Sequence, residues 1–299
     1  ILMKVFLTGA TGFVGSAIAR ELTRRGHDLV GLARSDRAAD ALQGAGIAVH
    51  RGDIADPDSV VAGLGAMDAV IHTAFNHDFS RYVENCVADG RLLDALACAL
   101  AGTDKALIAT SATVVTGTGS AVTEQDVAAE QLPRSASEAF LSYAEKGVQT
   151  GVIRLPPSVH GPGDTAFVPA LIALARERGA SAYIGDGANR WAAVHRDDAA
   201  RLFCDVLERP RPGARYHAVA ENGMAFRKIA EAIADGLDVP GESISKDQAE
   251  AHFGWLAMFA GLDNPVSNDL TRAAVGWAPR EAGLIRDMRD AGYFATAYN

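Results

Sequence analysis

Cysteine is scarce in this chain, and the three present, Cys86, Cys98 and Cys204, show no C-x-x-C spacing. An odd number without that spacing gives no support to a disulfide framework or a cysteine-ligated zinc site, and a reducing cytoplasmic setting suits it best. Long apolar runs are missing too: none approaches the ~18 residues a membrane span requires, and no charged segment leads into an apolar secretory core. Positive charge is in deficit, with 28 basic against 37 acidic residues and a formal net charge of −9. That balance argues against a nucleic-acid surface, which needs a clustered basic face. Internal repeats and low-complexity segments are absent, apart from a general excess of alanine. Ile1 and Leu2, ahead of Met3, are set aside in reasoning about the fold.

What is present is ordinary for a soluble globular protein: 48% apolar and 22% charged residues over 299 positions, enough for one large core or two unequal lobes. The chain is organised around residues 4–15, "KVFLTGATGFVG", where a short apolar strand runs into Gly9, Gly12 and Gly15. A strand-to-helix turn that carries a diphosphate needs backbone without Cβ where the chain turns and where phosphate approaches, and the helix N-terminus then supplies free N–H groups and a positive dipole end. The context agrees: "SAIARELTRRG" follows as an amphipathic helix and "HDLVGLAR" as a second strand.

At the tip of that second strand stand Arg34 and Ser35, with no carboxylate before Asp36. An acidic residue there favours a free ribose 2′-OH and a cation favours a 2′-phosphate, so NADP is preferred over NAD. A polar helical stretch around residues 37–44 leads to a third strand, "IAVHRGDIAD", and Pro57 opens the helix "PDSVVAGLGAM". "DAVIHTAFNHD" is a fourth strand, residues 82–100 are strongly helical, and "KALIATSATVVTG" is a fifth strand with Thr110 and Ser111 at its tip. Alternating βα units of this length predict an α/β Rossmann fold, a doubly wound parallel sheet with ligands at the carboxyl ends of its strands. A smaller carboxy-terminal substrate lobe follows.

The motifs "TGATGFVG", "GDIAD", "VIHTAF", "TSATVVTG", "VIRLPPSVHGPGD" and "AVHRDDAARL" occur in the order found in extended short-chain dehydrogenases/reductases, the group of epimerases, dehydratases and carbonyl reductases that this chain resembles from Lys4 to the "GWAPR" near Trp277. The resemblance implies that Gly9, Thr11, Gly12, Phe13, Val14 and Gly15 hold the diphosphate, Arg34 and Ser35 the 2′-phosphate, and Asp53 and Ile54 the adenine. Thr73, Ala74 and Phe75 would lie on the ribose side, and Ser111, Pro156, Pro157 and Ser158 against the nicotinamide. It also implies a nucleotide domain over residues 3–160, rejoined by about 194–220, and a substrate lobe from 161–193 and 221–299.

One part of the pattern is broken. The family works with a serine or threonine and a Y-x-x-x-K helix, whose tyrosine passes a proton while its lysine lowers the tyrosine's pKa and binds ribose. Ser111 matches the serine, but "LPRSASEAF" places Leu132 at the tyrosine and Ala136 at the lysine, which makes this an atypical member. Tyr143 and Lys146 are three apart and about two α-helical turns further on, on the order of 10 Å, and read as structural. Candidates for the proton are His77, with Asp78 beside it as a substrate contact, because a loop after the fourth strand overhangs the nicotinamide and histidine titrates near neutrality. His160 and Trp191 are further substrate candidates; His195, Asp197 and Asp198 read as loop-ordering and helix-capping residues. No metal-ligand spacing appears, and Ser111 has no G-x-S-x-G elbow. The apolar "AHFGWLAMFAGL", with Phe253, Trp255, Met258 and Phe259, is either core of the small lobe, the reading favoured, or a wall of the pocket.

The resulting expectation is a cytoplasmic NADP-dependent oxidoreductase moving hydride to or from a small, largely uncharged carbonyl or alcohol. A nucleotide-sugar epimerase or dehydratase is an alternative, weakened because only Arg190 and Arg196 stand near the expected mouth. A non-catalytic NADP-binding redox sensor is another, motivated by the missing tyrosine and lysine. The partner expected is a small-molecule substrate, without nucleic acid, membrane or metal, and with a homodimer left open.

Overall fold

A computed structural model describes residues 2–114 and 120–295, so the last residues of the fifth-strand motif, 115–117, lie outside the described residues. The first half runs β1 (Lys4–Thr8), α1 (Phe13–Arg24), β2 (Asp28–Ala33), α2 (Asp36–Gly44), β3 (Ala48–Arg51), α3 (Pro57–Val61), β4 (Ala69–His72), α4 (Tyr82–Leu100) and β5 (Ala106–Ala112). A 3-10 segment (Pro133–Lys146) leads to β6 (Gln149–Leu155), β7 (Ser158–His160), α5 (Phe167–Arg178), β8 (Ser181–Ile184), β9 (Arg190–His195), α6 (Arg196–Glu208) and β10 (Ala214–His217). The remainder comprises β11 (Glu221–Ala225), α7 (Phe226–Leu237), β12 (Gly241–Ile244), α8 (Ala249–Phe253), α9 (Ala257–Ala260), α10 (Asp269–Val275) and α11 (Leu284–Asp290).

Seven strands form one sheet in the order β10-β6-β5-β4-β1-β2-β3, and every pairing in it is parallel. This is the doubly wound Rossmann sheet that the βα alternation predicts. Strands covered on both faces have no polar side to show, which is why β1 and β4 read as unbroken apolar runs. On one face α1 and α6 bring Ile18, Leu22 and Phe203 together with Tyr216 of β10. On the other, Leu92, Leu93 and Leu96 of α4 pack with Phe140 and Leu141 of the 3-10 segment. After β3 the chain returns to β4 on the other side of β1, so the strand order reverses between β1 and β4. The crevice at such a reversal is where these sheets take their ligands.

A further core joins Ile172 of α5, Trp191 of β9, Phe226 and Ile229 of α7, and Met288 of α11. The carboxy-terminal region carries strands as well as helices: β11 pairs with β9, and β12 with β8. Helix α3 is also shorter than the sequence suggests; it stops at Val61, ahead of Gly63, where an added Cβ would come within 2.6 Å of the Phe6 ring. Among the described residues no helix is long and apolar enough to cross a membrane.

The segment Pro133–Lys146 is 3-10 over 14 residues, where runs beyond 3–4 are uncommon. Tertiary ties override the local preference. Glu138 makes two 2.7 Å hydrogen bonds with the fully buried Arg154 of β6, Ser137 Oγ donates to Asp89, and Tyr143 donates to Asp94 of α4 at 2.8 Å. At the steeper rise of ~2.0 Å per residue, Tyr143 stands further from Ala136 than α-helical spacing implies, and Lys146 packs over the Tyr143 ring.

Candidate functional site

The β1–α1 turn is built for close backbone approach. Gly9 has φ +72°, and a Cβ there would lie 2.7 Å from Thr73 Oγ1 and 2.8 Å from the Ala74 nitrogen. A Cβ on Gly15 would lie 2.0 Å from the Gly9 carbonyl oxygen, so the helix can sit this tightly on the turn only with glycine there. Gly12 is the extended N-cap of α1, no side chain caps the helix, and no acidic residue occupies its first turn. The terminal N–H groups and the dipole are left for an anion. Thr11 and Gly12 are exposed, with Phe13 and Val14 half-buried behind them. These residues fit a dinucleotide diphosphate.

At the β2 tip, Arg34 is extended into solvent, its side chain 77% exposed, with a single 3.9 Å approach to Asp53 Oδ2. Exposed pairs of this kind hold weakly. Ser35 accepts the Ala38 N–H at 3.2 Å and caps α2. Asp53 accepts the Ala55 N–H at 3.0 Å, and its own N–H donates to Ser59 Oγ at 3.0 Å, which fixes the turn that carries Ile54.

Across the reversal point runs a buried polar chain that the sequence reading missed. Thr8 Oγ1 accepts the N–H groups of Thr73 and Ala74, each at 3.2 Å, and is hydrogen-bonded to His72 Nδ1 at 2.8 Å. His72 Nε2 meets Asp89 Oδ1 at 2.9 Å. The other carboxylate oxygen, Asp89 Oδ2, accepts from Ser137 Oγ at 2.5 Å and from Arg134 Nη1 at 3.3 Å. Burial pushes the Asp89 carboxyl up, but hydrogen bonds and neighbouring positive charge outweigh it and hold the group below its ordinary value. One sequence signal was available: Asp89 falls in the apolar stripe of α4 formed by Cys86, Leu93, Leu96 and Leu100, where an acid is costly unless partnered.

Leu132 and Ala136, the positions the resemblance aligns with tyrosine and lysine, do not reach this region from a helix. Leu132 is extended and precedes the 3-10 segment. Ala136 faces α4, its carbonyl oxygen 2.8 Å and its Cβ 3.0 Å from where a Cβ on Gly90 would stand. Arg134, between them, does reach it: its Nη2 donates to the Thr110 carbonyl at 3.2 Å, and its guanidinium carbon sits 4.1 Å from the centre of the Phe75 ring. The next residue along β5, Ser111, is 2% exposed, and its hydroxyl has no hydrogen-bond partner in the protein.

Beyond the β4 tip, His77 is surface-exposed yet packs edge-on to Phe75 at 5.4 Å. Partial burial, and after it the charge of Arg134, hold its pKa below the ordinary histidine value. Asp78 is exposed and spends its Oδ1 on the Ser80 N–H at 3.0 Å and the Ser80 hydroxyl at 2.5 Å, capping a 3-10 turn (Phe79–Arg81). Through these bonds it orders the turn that follows β4. Phe79 joins the β4 side to the carboxy-terminal elements: it stacks on Tyr82 at 5.9 Å, on Trp255 at 5.5 Å with planes 19° apart, and meets Phe259 edge-on at 5.9 Å. Phe167 completes the seam, 4.4 Å from Phe259.

Trp191 requires a correction. It is fully buried, its indole N–H donating to the Phe259 carbonyl at 2.9 Å, so it backs Phe167 from within and presents no surface to a ligand. The segment with Phe253 is core only in part: Phe253 is buried, while Trp255 is 56% and Met258 69% exposed, where the chain turns at Gly254. His160 is 1% exposed and paired with Asp287 at 2.7 Å through Nδ1, its Nε2 without a partner. Beside it Asp164 is buried, and burial pushes its carboxyl up to about 6. His195 accepts the Asp197 N–H at 3.2 Å and caps α6, while Asp198 accepts the N–H groups of Arg280 and Glu281 at 2.9 and 3.0 Å. Pro156 is buried and Pro157 half-buried; Ser158 is buried with an unpartnered hydroxyl. No trio of metal-ligating side chains occurs among the described residues.

The sequence profile of the NAD dependent epimerase/dehydratase family matches residues 5–220. The chain belongs to that family. An uncharacterized protein of Schizosaccharomyces pombe is 46% identical over 98% of this chain and all of its own length, and an uncharacterized protein of Saccharomyces cerevisiae is 44% identical over 96% of this chain and 98% of its own. Among solved structures, the dTDP-glucose 4,6-dehydratase DesIV of Streptomyces venezuelae, with NAD and TYD bound, aligns over 99% of this chain and all of its own at TM-score 0.77 and 18% identity, a likeness of fold. The family assignment carries NAD(P) as cofactor and oxidoreductase-type chemistry with it.

Proposed function

We propose that this protein is an NADP-dependent oxidoreductase that moves hydride to or from a small, uncharged, predominantly apolar carbonyl or alcohol. The observation that carries the reading is Ser111: a hydroxyl 2% exposed and unpartnered, at the carboxyl end of β5. A buried polar group without a partner costs about 1–3 kcal/mol, a cost removed when a ligand oxygen accepts its hydrogen bond. The preference for NADP rests on Arg34, whose guanidinium has only one long contact and can turn to a 2′-phosphate. Relatives support reduction. The 2-alkyl-3-oxoalkanoate reductase of Stenotrophomonas maltophilia is 31% identical over 71% of this chain, and the vestitone reductase of Medicago sativa is 30% identical over 72%.

When bound, the nicotinamide supplies or accepts the hydride. The protein's own part is to hold and shield. Ser111 donates a hydrogen bond to the substrate oxygen, the seam of Phe79, Phe167, Trp255 and Phe259 gives an apolar wall that excludes water, and His77 exchanges a proton at the open side of the β4 tip. A charged nucleotide-sugar substrate fits less well, since Arg190 is already held by two hydrogen bonds to Asp263, at 2.9 and 2.8 Å, and Arg196 lies over the Phe13 ring.

Titrating the protein with NADPH and NADH, then following NADPH consumption over a panel of aldehydes and ketones, tests the proposal. Tighter NADPH binding with turnover of apolar carbonyls is expected. Tight binding without turnover across a broad panel would overturn the enzymatic reading, and tighter NADH than NADPH the role given to Arg34.

A further inference from the structure

The sheet topology divides the ligand crevice. The glycine turn sits at β1; β2 and β3 lie to one side, with Arg34 and Asp53 at their tips, and β4, β5 and β6 lie to the other. A dinucleotide whose diphosphate rests on the turn and whose adenosine reaches the β2 tip must lay its second half over β4 and β5. Arg134 is a cation fixed on that side, next to the β4 and β5 tips. It is 9% exposed and is held from three elements: Asp89 of α4 at 3.3 Å, the Thr110 carbonyl of β5 at 3.2 Å, and the Phe75 ring just past β4 at 4.1 Å.

A guanidinium tucked this deeply loses much of its hydration, and a lone structural tie rarely offsets that unless the pairing is close and complete. Here the pairing is incomplete. The Asp89 carboxylate also serves His72 and Ser137, and the approach of Arg134 to it is the longest of the three, without the two-pronged geometry Arg154 enjoys with Glu138. Five N–H donors on a planar group, directed at Asp89, at Thr110 and at the Cys86 thiol, still leave donors for a ligand lying along Phe75.

We infer that Arg134 is a cofactor-binding residue, its guanidinium donating to the ribose hydroxyls on the nicotinamide side of the dinucleotide, at the place where Ala136 cannot reach. A salt link whose only task is to tie α4 to β5 would leave cofactor affinity alone, so the two roles separate by binding. The inference rests on the NADP reading for the identity of the dinucleotide.

The test compares the wild type with Arg134→Gln and Arg134→Lys in calorimetric titrations of two probes, NADPH and adenosine 2′,5′-bisphosphate, the second lacking the nicotinamide half. For Arg134→Gln, NADPH affinity is expected to fall about 10- to 100-fold, the loss that one or two charge-assisted hydrogen bonds carry, with adenosine 2′,5′-bisphosphate unchanged within about twofold. Arg134→Lys keeps the charge opposite Asp89 and serves where the glutamine variant does not fold; it is expected to show a smaller loss of the same selectivity. Unchanged NADPH affinity, or an equal loss for both probes, would overturn the inference. These titrations read binding alone, so absence of turnover, which would sink the proposed reaction, leaves their outcome distinct; if the wild type prefers NADH, the same comparison is made with NADH and ADP.

Discussion

His72, at the end of β4, and Asp89, in the middle of α4, are joined by a 2.9 Å hydrogen bond between groups that are 1% and 7% exposed. Through this one bond the helix reads the position of the strand tip. Thr8 on β1 lies on the other side of the imidazole, and Arg134 and Ser137 on the other side of the carboxylate.

Asp89→Asn keeps the shape and removes the charge, leaving the Arg134 guanidinium buried without its counter-ion. Breaking a buried pair from one side costs about 3–5 kcal/mol. Denaturant unfolding of Asp89→Asn is therefore expected to show a loss of that order, whereas replacing an exposed pairing such as Arg81 with Glu84 is expected to cost under ~1 kcal/mol. Equal small losses from both would show that the chain of polar groups contributes little to the fold.

Arg134 and His77 are coupled through charge. Partial burial and the nearby guanidinium both hold the His77 pKa below its ordinary value, so folding favours the neutral ring, and stability from this group is present above the unfolded pKa and lost as pH falls below it. Arg134→Gln is expected to raise the His77 pKa toward the unperturbed value of ~6.5, read by NMR titration of its ring protons. A His77→Ala variant with full activity would remove His77 as the proton-exchanging group.

Asp164 has the opposite sign. Its folded pKa, about 6, lies above the unfolded value of ~3.9, so its contribution to stability is full below the unfolded value and is lost as pH rises through about 6. Relative to Asp164→Asn, which cannot titrate, the wild type is expected to lose about 1 kcal/mol between pH 5 and pH 7. A difference that stays flat across this range would mean that Tyr293, which donates to Asp164 at 3.0 Å, already holds the carboxylate ionised.

Trp255 and Phe79 are expected to act on substrate and not on cofactor. Trp255→Ala removes one aromatic face of the seam, and the loss of a ring contact to substrate worth about 1–1.5 kcal/mol corresponds to a roughly tenfold rise in KM for apolar carbonyls, with the NADPH dissociation constant unchanged. A parallel change in both would place the seam on the cofactor side.

The fold was legible because its signals are local. The glycine spacing at Gly9, Gly12 and Gly15 and the alternation of apolar runs with amphipathic helices each lie within a short stretch. The polar chain from Thr8 to Arg134 was not, since its directly bonded members lie up to 66 residues apart along the sequence and meet only once β1, β4 and α4 are assembled. Leu132 and Ala136 look in sequence like losses within an ordinary helix, but the 3-10 winding of Pro133–Lys146 turns Ala136 toward Gly90. Long-range ties such as Glu138 with Arg154 set that winding, and no local propensity announces them. The burial of Trp191 is illegible for a related reason: an aromatic residue near an expected mouth looks the same in sequence whether it faces the ligand or the core behind it.

Arg34 gives the sharpest division between cofactors. Its long contact with Asp53, 3.9 Å with both side chains more than a third exposed, is worth little in water, so turning the guanidinium to a 2′-phosphate forfeits almost nothing and gains a charge-assisted hydrogen bond. Arg34→Asp reverses the sign of the charge at the β2 tip and also sets a second carboxylate beside Asp53. NADPH affinity is expected to fall about 100-fold, from the lost bond together with repulsion of the phosphate, while NADH affinity holds or rises because a carboxylate there can accept from the free 2′-OH. Raising the salt from 50 to 500 mM should weaken NADPH binding to the wild type more than to Arg34→Asp, since only the wild type pairs a cation with the phosphate. An unchanged ratio of NADPH to NADH affinity in Arg34→Asp would take the 2′-phosphate site away from this strand tip altogether.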